Sequence, residues 1–155
     1  HRKFLRQIIV SMDITAPLYW WKEFDTYKVG TVANSCSTMH RIHSKPFELA
    51  DFSTDRMTEP ALSVMRGVVA CLEEERVKFN ETKDRAHWHN IIQLLPSSYN
   101  QMRTVTLNYE VLINMYYARR AHKLAEWHTL CHAIEELPYA NELILVKGTE
   151  KPDGQ

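Results

Sequence analysis

The sequence predicts an α+β fold in which helices outnumber strands. In IIVSMDI, residues 8–14, apolar and polar residues alternate as they do in a half-buried strand, and MRTVTL, residues 102–107, is a second short strand candidate. Five other segments predict helices, the clearest at residues 61–79. With 155 residues, 45% of them hydrophobic, the chain is long enough for one domain with a sizeable core.

The first half of the chain predicts a strand, a short helix and a polar loop. Thr15-Ala16-Pro17 ends the strand and is typical of a helix start, since the missing N–H of a proline costs little in the first turn. The aromatic-rich segment 18–27 follows as a helix. The small polar residues from Asn34 to Thr38 then fall in a loop, and the irregular segment 46–60 predicts an excursion or a lid.

The second half predicts four helices and one strand. In segment 61–79 the buried positions recur at helical spacing, at Leu62, Met65, Val69 and Leu72. A helix over 84–94 stops before Pro96. After the second strand, Asn108 is a favoured N-cap for a helix that reaches about residue 121. The last helix covers 124–137.

Composition narrows the class of protein. Lys and Arg number 19 and balance 19 Asp and Glu, whereas a non-specific nucleic-acid binder is usually basic. No apolar run approaches the ~20 residues that span a bilayer. The 3 cysteines are widely spaced and odd in number, which indicates a reducing, cytoplasmic setting without a disulfide framework. We therefore expect neither a nucleic-acid partner nor a membrane.

The domain organisation predicted from the sequence is simple. Residues 1–145 form a single predicted domain, and residues 146–155, with Gly148 and Pro152, form a frayed tail. The chain begins at His1 without a methionine and runs directly into patterned sequence. We therefore expect that an N-terminal part is missing.

The helix that begins at Asn108 raises a question about function. Asn108, Leu112, Met115 and Arg119 share one stripe, since a helix has 3.6 residues per turn. An apolar stripe with an amide at one end and a guanidinium at the other can line a pocket for an anion. The alternative is that Asn108 only caps the helix and Arg119 pairs with a carboxylate such as Glu126.

Two groups of residues occur in an order that a known family shares. The first comprises His1, Leu5 and Ile14-Thr15-Ala16-Pro17. The second runs through Leu95-Pro96, Thr106, Asn108, Leu112, Asn114, Arg119 and Glu126-Trp127. This order resembles the flavin-dependent (alternative) thymidylate synthases over most of the chain, with a gap allowed between about residues 45 and 90. The resemblance implies an antiparallel sheet with packed helices and sites that lie between subunits. One small core would not readily bury all the apolar surface of Trp20, Trp21, Tyr116 and Tyr117. We therefore expect a homo-oligomer, a tetramer.

The family signature itself is altered in this chain. The signature is Arg-His-Arg, then seven residues, then serine, and the ungapped overlay places Thr26-Tyr27-Lys28 and Cys36 at those positions. Asn34 falls on the family's glutamate and Glu23 on its glutamine. Lysine keeps a charge but lacks the planar fork that binds phosphate in a bidentate way. The chain is therefore similar to a divergent member of the family.

The resemblance also implies ligands and the residues that bind them. FAD is the expected cofactor, dUMP or a related pyrimidine nucleotide the substrate, and NADPH and methylenetetrahydrofolate the co-substrates if the family activity is kept. The residues implied for the cofactor are His1, Tyr27, Lys28, Asn34, Asn108 and Asn114. Those implied for the nucleotide are Glu23, Ser35, Ser37 and Arg119.

Cys36 is the candidate catalytic residue. A thiolate is a good nucleophile for C6 of a pyrimidine, provided that Lys28, His40 or a helix N-terminus lowers the thiol pKa. The alternative is that Cys36 only fills the space of the family's serine. His128 and His132 are four residues apart, but no HExxH motif or cysteine pair accompanies them. We therefore predict no metal site.

Two functions from different classes follow. One is a flavin-dependent enzyme that methylates C5 of dUMP or carries out a related C5 modification. The other is a non-catalytic member of the family that keeps the fold and the assembly and binds a nucleotide or a partner protein.

Overall fold

The computed structural model describes residues 2–35 and 38–146, with only the backbone at residues 38 and 39. Three strands form one small antiparallel sheet in the order β1-β3-β2. The strands are β1 (Ile9–Pro17), β2 (Val32–Ser35) and β3 (Asn100–Asn108). The helices are α1 (Leu18–Phe24), α2 (Thr38–Arg41), α3 (Glu59–Thr82), α4 (Arg85–Leu94), α5 (Tyr109–Arg119), α6 (Ala125–Glu135) and α7 (Ala140–Leu143). The predicted α+β class is confirmed.

The chain divides into two compact units, and the divisions fall within β1, β2 and β3 and between α1 and β2. The first unit comprises the residues up to Met12, Tyr27–Val32 and the residues from Val105 onward. The second comprises Asp13–Thr26 and Ala33–Thr104. Within the described part of the chain, no helix has the length and apolar composition needed to cross a bilayer.

In the first unit, α5 packs against α6 and against the 3-10 turn Lys3–Gln7. The helix begins as the sequence predicts, because the Asn108 side chain accepts a hydrogen bond of 3.1 Å from the backbone N–H of Val111. That bond satisfies one of the donors that a helix N-terminus leaves open. Leu112 and Met115, in the middle of the predicted stripe, are buried and belong to the core.

In the second unit, α3 and α4 pack side by side over a hydrophobic cluster. Its buried members are Ile42, Phe47, Phe52, Met65, Val69, Leu72 and Ile91. Three of the four positions that predicted the buried face of α3 are therefore in the core. Phe47 and Phe52 come from the segment expected to be an excursion or lid, and their burial makes that segment part of the core instead.

Three other local expectations differ from the structure. The helix expected over 18–27 ends at Phe24. Asn34 and Ser35, expected in a loop, lie in β2, which is too short for alternation to reveal. Trp20 and Trp21 were expected to need a partner subunit to cover them, but within this single chain each is only 1% exposed. These tryptophans therefore give no support for an oligomer.

Candidate functional site

Arg119 lies beside two aromatic rings in the first unit. Its Nε–H donates a hydrogen bond of 3.0 Å to the hydroxyl oxygen of Tyr27. The guanidinium carbon is 4.7 Å from the centre of the Trp127 ring and 5.6 Å from that of Tyr27. The two rings meet edge to face, with their centres 6.1 Å apart. These contacts with Tyr27 and Trp127 help to fix where the guanidinium lies.

The three side chains come from distant parts of the sequence. Tyr27 follows α1, Arg119 is the last residue of α5, and Trp127 lies in the first turns of α6. Trp127 is completely buried and provides a rigid face, while Tyr27 and Arg119 are half-buried. His122, in the connection between α5 and α6, packs near the Trp127 ring, with ring centres 6.3 Å apart. The sequence had placed Trp127 only within the family pattern, not in a site.

Asn108 lies close to Gly30 in the first unit. A Cβ atom added to Gly30 would be 3.1 Å from Asn108 Nδ2 and 3.1 Å from Val111 Cγ2. Gly30 also has φ +71°, a left-handed conformation that suits glycine. The Asn108 amide therefore lies against the backbone of the loop that carries Tyr27. Its oxygen already accepts the hydrogen bond that caps α5.

The remaining predicted site residues are dispersed. In the first unit, Lys28 and Asn114 are exposed. In the second unit, Glu23 is half-buried on α1, while Asn34 and Ser35 are exposed on β2. His1, Cys36 and Ser37 lie outside the described residues. Of the residues predicted from the sequence, the structure thus brings Tyr27 and Arg119 into direct contact.

A pocket of about 400 Å³ lies wholly within the second unit. Its lining comes from residues 41–47, from the start of β3 and from Asp51. The lining residues are Arg41, Ile42, Ser44, Lys45, Pro46, Phe47, Asp51, Tyr99, Asn100, Gln101 and Met102. The sequence prediction missed this pocket. The sequence pattern that could have indicated it is the pair of cations Arg41 and Lys45, which lie on either side of Ile42 and just before Pro46-Phe47.

Three hydrogen bonds to α3 hold the lining segment. Glu73 accepts from the backbone N–H of Phe47 at 2.8 Å. The carbonyl oxygen of His43 accepts from Asn80 at 3.1 Å and from Arg76 at 3.5 Å. Arg76 also donates two bonds, of 2.6 and 2.7 Å, to the Glu73 carboxylate. The Arg76 hydrogen bonds, followed by that from Phe47, lower the pKa of Glu73, although burial opposes them.

Burial changes the pKa of Tyr99, which lines the pocket, and of the Cys131 thiol. Burial, with the Asp51 carboxylate nearby, raises the pKa of Tyr99, so its hydroxyl stays protonated near neutral pH. Burial likewise raises the pKa of Cys131, which is in the core, whereas Cys71 is exposed. Among the described residues, no group of three His, Cys, Asp or Glu side chains is placed to hold a metal ion.

Solved structures that share this fold include the following three. Two are of flavin-dependent thymidylate synthase ThyX from Helicobacter pylori, each with FAD and dUMP. They match at TM-scores of 0.67, with 19% and 20% identity, over 93% of this chain and 75% and 74% of theirs. The third is the UMP/dUMP methylase PolB from Streptomyces cacaoi bound with 5-Br UMP. It matches at a TM-score of 0.59 and 12% identity, over 82% of this chain and 66% of its own.

By sequence, no protein-family model matches the chain, and no curated protein matches it significantly. The similarity is therefore one of fold, carried by three-dimensional structure at low identity. The chain has the fold of the flavin-dependent thymidylate synthases, which confirms the resemblance inferred from its sequence motifs.

Proposed function

We propose that this chain is a divergent flavin-dependent thymidylate synthase-like protein that binds a pyrimidine nucleotide and FAD. The observation that carries the proposal is the arrangement of Arg119, whose guanidinium is held by Tyr27 and Trp127. Arg119 Nε donates to Tyr27. A guanidinium is a planar fork of N–H donors, a shape that suits phosphate and other anions.

The fold supports the choice of ligands. The ThyX structures from H. pylori are complexes with FAD and dUMP, and the methylase from S. cacaoi was crystallised with a brominated UMP. All three have a pyrimidine nucleotide bound to this fold. We therefore assign a pyrimidine nucleotide such as dUMP to this chain as substrate.

The flavin assignment has a narrower basis. In the first unit, Lys28 and Asn114 are exposed and carry a cation and an amide of the kinds that bind flavin phosphate and ring atoms. Asn108 fits less well, because its oxygen caps α5 and its side chain is 9% exposed. When bound and reduced, FAD would supply the hydride for methylation at C5, with methylenetetrahydrofolate as carbon donor and NADPH as reductant. The residues of this chain would bind and orient the nucleotide for that chemistry.

The non-catalytic alternative also has support. Thr26 and Tyr27 stand where the family carries arginine and histidine, so two nitrogen-rich side chains are absent from that loop. A chain altered in this way can keep the fold and the nucleotide without turnover. Detection of dTMP formation from dUMP, with FAD, NADPH and methylenetetrahydrofolate present, separates the two functions.

A homo-oligomer, expected to be a tetramer, is part of the proposal. In the first unit Phe4, Ile9, Val29 and Val32 are at least half exposed, although they are apolar. A second copy of the chain would cover such residues. Light scattering at micromolar concentration tests this, and a monomer would contradict an assembly of this kind.

Direct binding measurements test the central proposal. The purified protein should show flavin absorbance or a thermal shift with FAD, and a shift with dUMP. Arg119→Ala should weaken dUMP binding about ten- to hundredfold, since a charge-assisted contact contributes about 1.5–3 kcal/mol. Arg120→Ala is the matched control, because Arg120 is exposed and stacks on Tyr117 at 5.0 Å. A chain that binds neither FAD, FMN nor dUMP would contradict the proposal.

A further inference from the structure

We propose that the pocket in the second unit binds a nucleoside monophosphate, with Arg41 and Lys45 holding its phosphate. The volume of about 400 Å³ suits a ligand of that size, since small-molecule sites measure about 300–1,000 Å³. The inference goes beyond the proposed function because it does not use Arg119. It rests on that function only in the choice of dUMP as the first probe.

The two cations are available to an anion. Arg41 and Lys45 are both exposed, and among the described residues neither forms an ion pair or a side-chain hydrogen bond. Most surface lysines and arginines of this kind are simply solvated. These two differ because they lie four residues apart in one segment and line the same concavity.

The segment that carries them is fixed in place. Glu73 holds the backbone of Phe47, and Asn80 and Arg76 hold the carbonyl of His43. Ser44 closes the turn, since its hydroxyl donates to the carbonyl of Arg41 at 2.7 Å. The cations therefore project from a backbone that is already ordered, which lowers the entropy cost of binding a ligand.

The other polar groups of the pocket determine which group attached to the phosphate can bind. Tyr99 stays protonated and can donate to a ligand oxygen. Asp51 can accept from an N–H or a hydroxyl, such as the N3–H of uracil or a ribose hydroxyl. Its carboxylate would repel a second anionic group near it. A ligand with one anionic end and a ring that bears donors fits this set better than free phosphate or a polyanion does.

Titration calorimetry of the intact chain with three probes tests the inference. We expect dUMP to bind more tightly than deoxyuridine and than inorganic phosphate. Because Arg119 is proposed to bind dUMP at a separate site, we expect two dUMP-binding events. In the double variant Arg41→Gln/Lys45→Gln one event should weaken about tenfold or more while the other is kept. Arg66→Gln, on the exposed face of α3 outside the pocket, is the control and should bind dUMP as the unmodified chain does.

The outcomes separate this inference from the proposed function. If the double variant keeps every dUMP-binding event of the unmodified chain while Arg119→Ala loses one, the proposed function stands and the pocket inference is overturned. If the unmodified chain binds no dUMP, the proposed function fails. In that case UMP and AMP test the pocket inference. It is supported if the double variant loses their binding and Arg66→Gln keeps it. Equal affinity for inorganic phosphate and nucleotides overturns the assignment of a nucleotide.

Discussion

Tyr27 accepts a hydrogen bond of 3.0 Å from Arg119 Nε, across 92 residues of sequence. The overlay with the thymidylate synthase signature puts Tyr27 where the family carries histidine. A phenol can accept from a guanidinium and also present a ring face to it, as it does here at 5.6 Å. The tyrosine at this position thus makes a contact that orients Arg119.

Tyr27→Phe should reduce dUMP affinity with little effect on folding. The change keeps the ring and removes the acceptor of the Arg119 hydrogen bond. The donor is a charged guanidinium, and such a hydrogen bond contributes about 1.5–3 kcal/mol, so we expect a loss in affinity of about tenfold or more by calorimetry. Tyr117→Phe is the control, because its hydroxyl donates at 3.2 Å to the carbonyl of Val146. Equal dUMP affinities of the two variants would show that the Tyr27 contact is only structural.

Asn108→Ala should destabilise the protein by about 1 kcal/mol, because α5 loses its N-cap. Asn108→Ser should recover most of that stability, since serine is also a favoured N-cap. Urea unfolding measures both. The flavin hypothesis for Asn108 makes a different forecast, in which both variants lose FAD affinity although their stabilities differ. If Asn108→Ser binds FAD with unchanged affinity, Asn108 caps α5 and does not bind the flavin.

Local features were the most accessible to prediction from sequence. The alternation at Val10, Met12 and Ile14 and the cap at Asn108 depend on neighbouring residues, and both are present. The pocket depends instead on Glu73 and Phe47, which lie 26 residues apart in sequence. Nothing in either local pattern indicates that contact. The same holds for Trp127, whose role beside Arg119 appears only when α5 and α6 pack together.

Glu73 should make stability depend on pH in the acid range. Its hydrogen bonds from Arg76, then from Phe47, put its folded-state pKa below the ordinary value of 4.5. Its contribution is therefore complete above pH 4.5 and is lost as the pH falls through the lower, folded-state pKa. Glu73→Gln should destabilise the protein by about 1–3 kcal/mol at pH 7, and much less at low pH.

Glu74→Gln is the matched control for that measurement. Glu74 is the next residue on α3 and pairs with Lys78 on the exposed surface, where ion pairs contribute about 0–1 kcal/mol. Urea unfolding from pH 7 to pH 3 compares the two variants. A constant difference in unfolding free energy between Glu73→Gln and the unmodified protein would show that this carboxylate does not cause the acid dependence.

Cys36→Ser tests the candidate nucleophile. If the thiol only occupies the place of the family's serine, the change restores the family residue, and dUMP binding and any dTMP formation should persist. If Cys36 attacks the pyrimidine ring, turnover should be abolished, because a serine hydroxyl is far less ionised near neutral pH. We expect the first outcome. Lys28→Arg should then bind dUMP somewhat more tightly, since it returns one guanidinium to the family's signature position.

The other two cysteines make the Cys36 experiment interpretable. Cys71→Ser is the control, because Cys71 is exposed on α3 and has no proposed role. Cys131 is buried and its pKa is raised, so it should react slowly with iodoacetamide. In Cys71→Ser, fast alkylation would then report on Cys36. Rapid alkylation that dUMP prevents, together with a folded but inactive Cys36→Ser variant, would contradict our expectation and assign the thiol to catalysis.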